Sequence, residues 1–369
     1  MLGYSFFPCL ARPLASFSWG HPVCRYHWLP LSSARALICL ISAVLYAFTG
    51  KTQQAVDEIT KGEAAVSEHL AELGVRHEEI SEAALDPLTL WSSRPPLVLS
   101  LQLAVARAHL HLATSNLQGA QEAVLAVLSQ VMRFPHQLRS LLLTAHMVAG
   151  HYAHAVGSYG AATAHFQAVK QNTAVAQQAT LASALLALSL VSSPDSGERE
   201  VEAAIDALGP RFGAAPLTSQ PEESLEGVVS MLAVALIKLR QGRGQEAAAR
   251  LRTVLQAAHH RLMHHGLVAQ VMAYLVPHQL QQSDLSAAEQ MISAGLKMCK
   301  GIRSISTEAH LLAMDQQVCN AKGDQARAAR LAQRHATKTA ELRALLRAAS
   351  SGNVEGHEFI LTWGLQQKA

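Results

Sequence analysis

The chain has 369 residues, half of them hydrophobic but only 5% aromatic, and a formal net charge of +3. Charges of both signs are interspersed, which argues against the long basic stripe of a protein that reads DNA sequence directly. The five cysteines, Cys9, Cys24, Cys39, Cys299 and Cys319, lack CxxC spacing, which argues against a zinc site or a disulfide framework and fits a reducing intracellular compartment.

In chain order, residues 1–26 carry no clear periodicity. An apolar run of about 15 residues follows Arg35, too short for a membrane span and too far from Met1 for an ordinary secretory signal. It is expected to be a buried repeat helix, and no membrane partner is expected. Helix pairs are predicted at residues 32–49 with 52–73, 98–114 with 118–132, 136–156 with 159–171, and 174–192 with 198–208. They continue at 222–241 with 244–259, 262–281 with 284–299, and 304–321 with 324–349. Residues 75–97, with Pro87, Pro95 and Pro96, and residues 210–221 read as inserts. Residues 350–369 form a C-terminal tail, so the repeat array is expected over 27–349.

The pairs share one signature. Ala55, Ala120, Ala162, Ala204, Ala247, Ala288 and Ala328 each lie a few residues past a turn, most of them about 41 residues apart. Around them stand Gly157-x-Tyr159-x-x-Ala162-x-x-x-Phe166 and its variants, with a small residue twelve positions upstream at Ala108, Gly150 and Ala235. Two helices cross closely only where neither carries a bulky side chain, and the large residue four positions on fills the space beside the crossing. The fold class is therefore all-α, a tetratricopeptide-like right-handed superhelix.

Chemistry is hard to find. Gly50-Lys51-Thr52 resembles the end of a phosphate loop, but Leu45 stands where its first glycine should be. His260 and His264 are read as one helical turn apart, a spacing that can hold a metal, yet no third ligand is near. No catalytic residue, cofactor or metal is expected. Solenoids bind through the inner face formed by the first helix of each pair. The expected partner-binding residues are Met147, His151, His154, Leu232 and Leu236, with Gln270 and Ala273 also inward. This lining is apolar and histidine-rich, which suits an extended peptide better than an acidic C-terminus and predicts pH-dependent binding between about pH 6 and 7.

Several stretches carry a resemblance. They are His27-Trp28-Leu29-Pro30, Arg133-Phe134-Pro135, Gly150 through Tyr159, Ala207-Leu208-Gly209-Pro210, Leu255 through Gln270, and Gly356 through Gly364. In this order they resemble the tetratricopeptide subunit of the cohesin loader, closest to its plant and algal form, over about residues 27–364. Residues 1–26 match nothing in it, and the chain resembles only the C-terminal half of such a subunit. The resemblance implies a nuclear, partly cytoplasmic, non-catalytic scaffold. It would embrace the extended N-terminal segment of the large HEAT-repeat loader subunit and reach cohesin and chromatin through that complex. The alternative is a generic tetratricopeptide co-chaperone or assembly factor.

Overall fold

The computed structural model describes residues 29–75, 80–194, 197–209 and 224–365. Among these, fifteen α-helices and no strand are found. They are α1 (Leu31–Phe48), α2 (Thr52–Glu72), α3 (Pro87–Ala113), α4 (Leu117–Arg133), α5 (Leu142–Ala155), α6 (Tyr159–Asn172), α7 (Ala176–Ser192) and α8 (Glu198–Leu208). They continue as α9 (Leu225–Arg240), α10 (Gly244–His260), α11 (His265–Gln281), α12 (Leu285–Ile302), α13 (Ile305–Lys322), α14 (Gln325–Ser351) and α15 (Val354–Thr362). Successive helices pack on one another from α1 to α14, and α1 with α3, α3 with α5, α7 with α9, and α11 with α13 also touch. This is the contact pattern of an α-solenoid.

The repeat is written in two adjacent positions. Five residues before each of six repeat alanines the chain turns with positive φ, at Gly50, Ser115, Gly157, Gly242, Ser283 and Gly323. The next residue caps the second helix at Asn116, Asp284 and Asp324, whose side chains accept from backbone N–H groups of the first turn. Such a cap contributes about 1 kcal/mol. The αL turn reverses the chain, and the second helix then presents its alanine to the first. Ala55, Ala120, Ala162, Ala204, Ala247, Ala288 and Ala328 are all buried. The reason for small residues at the crossing is clearest at Gly150, where an added Cβ would lie 2.6 Å from Cε1 of Phe166. Gly62 against Leu103 and Gly295 against Leu311 repeat the arrangement at other crossings.

Two boundaries differ from expectation. The second pair begins at Pro87 rather than 98, because Asp86 caps the helix with Pro87 at its first position, where a missing N–H costs nothing. Pro95 and Pro96 lie inside that helix, and Pro96 is buried. In the third pair, a short 3₁₀ turn (Arg139–Leu141) precedes α5, which starts at Leu142. The insert expected at 210–221 lies outside the described residues, as do residues 1–26 and the His27-Trp28 motif.

The array curls so that its first turn reaches its sixth pair. Thr52 Oγ1 donates to the Gly301 carbonyl at 3.3 Å, and the Phe48 ring lies 5.0 Å from that of His264. From the seventh pair the long α14 runs back to α4, and α15 settles against α4, α5 and α6. Gln121 Nε2 donates to the Asn353 carbonyl at 2.8 Å, Tyr152 Oη pairs with His357 Nδ1 at 2.9 Å, and Ile360 is buried. Two of the stretches behind the family resemblance, around Tyr152 and around His357, thus meet in space.

Candidate peptide-binding groove

The first helices of pairs three to seven line an open cavity of about 640 Å³. Its wall is built in steps of one repeat: His154 from α5, Val191 from α7, Leu236 and Arg240 from α9, Gln270 and Tyr274 from α11, and His310 from α13. Leu346 of the returning α14 closes one side. Helices α5, α7, α9 and α11 are apolar around most of their circumference because each packs on its own partner and on at least one neighbouring pair, leaving a narrow strip for the cavity. That strip alternates aliphatic surface with hydrogen-bonding groups, as an extended peptide requires.

The structure sorts the five expected contact residues into two sets. His154 and Leu236 line the cavity. Met147, His151 and Leu232 do not: they are 1%, 4% and 0% exposed and sit in the packed interior. Met147 and Leu232 belong to the central hydrophobic cluster, and His151 packs edge-on against Phe166 at 5.4 Å and His109 at 5.2 Å. The three lie on faces that the helix-on-helix contacts consume, so they support the wall rather than form it. Gln270 and Ala273 do reach the cavity.

Tyr159, Arg240, Tyr274, Ser306, Thr307 and His310 are lining residues that sequence reasoning missed. A signal existed for one of them, since His310 follows Gln270 by forty residues, the same spacing that separates the turn residues Ser283 and Gly323. The Tyr274 and His310 rings meet edge-on at 6.1 Å, and those of His154 and Tyr159 at 5.3 Å.

Electrostatically the cavity is close to neutral. Arg240 is the only Lys or Arg among its described lining residues, and its guanidinium donates to the Val191 and Ser193 carbonyls at 3.2 Å each. Burial pushes His154 down to about 3, and its Nδ1 pairs with Ser189 Oγ at 2.9 Å. His310 is also lowered by burial. Both imidazoles are therefore neutral at physiological pH, which removes the expected titration of His154 between pH 6 and 7. The groove offers neutral hydrogen bonds in place of charge.

The histidine pair read for a metal is likewise rearranged. His260 ends α10, whereas His264 caps α11 by accepting the Leu267 N–H on Nδ1 at 3.0 Å. The two stand on different helices and share no helical face. Gly50-Lys51-Thr52 is a helix-to-helix turn.

A chain with this repeat, groove and tail can be set beside known proteins. The sister chromatid cohesion protein SCC4 of Arabidopsis thaliana is 29% identical over 289 residues, which is 78% of this chain and 39% of that relative. The chain thus aligns with well under half the length of that relative. The cohesin loading factor family matches residues 13–326, most of the repeat array, and the chain belongs to that family.

Proposed function

We propose that this chain is a non-catalytic scaffold in cohesin loading whose central groove holds an extended segment of a partner, the N-terminal segment of the large HEAT-repeat loader subunit. The carrying observation is the cavity itself, which runs along five successive first helices with a near-neutral mixture of aliphatic and hydrogen-bonding groups. An extended backbone laid there would gain small contributions from each repeat, with no dominant charged anchor. The chain would act in the nucleus and meet cohesin and chromatin through that partner, with a share of the protein in the cytoplasm. Sequence-specific DNA contact is not part of this reading.

The co-chaperone alternative needs basic side chains free to hold an acidic C-terminus. Arg240, the one arginine among the groove's described lining residues, is already committed to two backbone carbonyls. The deciding experiment is affinity purification of the tagged chain from dividing cells. Recovery of the large loader subunit together with cohesin is the expected result; recovery of a chaperone through its C-terminal peptide, with no loader subunit, would replace this reading with the alternative.

A further inference from the structure

Ser193-Pro194 is the chain's single step from serine or threonine into proline, although the sequence holds 13 prolines. It stands at the rim of the groove, where Val191 and Ser192 of α7 line the cavity. Helix α7 stops at Ser192, because a proline at 194 disfavours the helical conformation for the residue before it. Ser193 is extended instead, with φ −61° and ψ 134°, close to polyproline II geometry. It is half-buried, and Pro194 is exposed.

Two features set this hydroxyl apart. A protein kinase takes its substrate as an extended strand, and the proline-directed class selects proline after the acceptor because that residue brings no N–H for an apolar pocket to satisfy. Hydroxyls within helices do not meet this need: Thr60, Thr337 and Ser350 donate to the carbonyls of Val56, Gln333 and Leu346, four residues earlier on their own helices. Ser193 is already extended, so only the last turn of α7, whose carbonyls lack helical partners, must fray to admit the residues before it. The second feature is Arg240 of α9. Its Nε donates to the Val191 carbonyl and its Nη2 to the Ser193 carbonyl, both at 3.2 Å. A phosphate on Ser193 would stand beside that guanidinium. Forked arginine–phosphate bonds are about twice as strong as neutral ones, so the phosphate draws the guanidinium from the two carbonyls.

We propose that Ser193 is a phosphorylation site for a proline-directed kinase, with Arg240 as the residue that holds the phosphate. Ser193 Oγ attacks the γ-phosphorus of a nucleoside triphosphate held by the kinase. The new Oγ–P bond forms as the bond from that phosphorus to the β–γ bridging oxygen breaks. The nucleoside diphosphate leaves with that electron pair, and the hydroxyl proton passes to the kinase's base and then to water. The phosphate carries about −1.5 to −2 at pH 7 against the single positive charge of Arg240, so the rim of the groove turns from near-neutral to anionic. An acidic occupant is then repelled and a basic one attracted. That consequence rests on the groove holding a partner segment, whereas the site and its contact with Arg240 do not.

The test uses the full chain with a purified cyclin-dependent kinase, ATP and Mg²⁺, the phosphate being mapped by mass spectrometry and titrated by phosphorus NMR. Phosphate is expected at Ser193, lost in Ser193→Ala and sharply reduced in Pro194→Ala. A phosphoserine has its second ionisation near about 6; in the folded chain it is expected at least about 0.5 lower, returning toward 6 in Arg240→Gln. Arg240→Lys, which keeps the charge without the fork, should fold as the parent does and give an intermediate value. In urea all three should titrate alike, which separates Arg240, 47 positions away, from charges beside Ser193 along the chain. Labelling of a free peptide of residues 187–200 but not of the folded chain overturns the site. Equal titration of the folded wild type, Arg240→Lys and Arg240→Gln overturns the assignment of the phosphate to Arg240.

Discussion

Replacing Gly150 by alanine probes the helix crossing on which the repeat is built. Alanine is favoured over glycine in a helix interior by about 0.8–1.0 kcal/mol, so the substitution in an open helix would stabilise. Here the new Cβ would stand 2.6, 2.9 and 3.0 Å from Cε1, Cζ and Cδ1 of Phe166, where carbon atoms prefer about 3.5–4.0 Å. The ring must retreat by about 1 Å, yet it is buried and its edge meets His151. Overpacking of this kind costs about 1–3 kcal/mol, which outweighs the propensity gain and leaves a net loss of up to about 2 kcal/mol. In a Phe166→Leu background the clash is relieved and Gly150→Ala becomes neutral or stabilising. A double-mutant cycle by urea denaturation, followed by far-ultraviolet circular dichroism, should give a coupling of about 1–3 kcal/mol between the two sites. Additive effects, or stabilisation by Gly150→Ala alone, would refute the idea that the small residue is there to admit the ring.

Other outcomes follow from the turns, the tail and the histidines. Gly157→Ala and Gly242→Ala should each cost about 1 kcal/mol through backbone strain alone, because their Cβ atoms would meet nothing within 4 Å. Ser283→Gly at an exposed αL turn should instead raise the melting midpoint. Ile360→Ala should free α15, seen as faster amide exchange in residues 354–362 and a cost of about 2 kcal/mol or more. Burial pushes His165 and His264 down to about 4 each, so the unfolded chain binds protons more readily than the folded one below its own value near 6.5. Stability is therefore present in full above pH 6.5 and is lost as pH falls toward 4, which urea midpoints across that range will reveal; a flat profile would contradict the buried neutral pair. His165 Nε2 donates to the Ile360 carbonyl at 3.0 Å, which leaves its Nδ1 to accept from His146 Nδ1 at 3.1 Å, so protonation of Nδ1 breaks the bond to His146 while the bond to the tail remains.

Much of this architecture could be read from the chain because a solenoid repeats its instructions. The crossing alanines are all buried, and most helix boundaries fall within a few residues of expectation, since turn, cap and small residue recur at fixed spacing. The start of α3 was obscured by Pro95 and Pro96, which read as a linker although Asp86 and Pro87 form a helix start. The groove was only half legible for a different reason. Met147 and Leu232 are as apolar as Leu236, and on a helix packed against three neighbours the sequence does not say which apolar strip is left open. The protonation of His154 was equally hidden, because desolvation by distant parts of the chain outweighs the residue's intrinsic tendency. The return of α14 and α15 onto α4–α6 rests on contacts between residues about 200 positions apart or more, such as His165 with Ile360 and Gln121 with Asn353, which no local pattern announces.

The central claim is that the cavity holds an extended partner segment, and the direct measurement is fluorescence-anisotropy titration with a labelled peptide covering the N-terminal segment of the large loader subunit. Gln270→Ala, Tyr274→Ala and His310→Ala together, all half-buried at the cavity wall, should weaken binding at least about tenfold without altering the circular dichroism spectrum. Leu88→Ala with Trp91→Ala, on an exposed stretch of α3 away from the cavity, should leave it unchanged. Equal affinity of the triple variant and the wild-type chain, or no binding by the folded wild-type chain, would contradict the account.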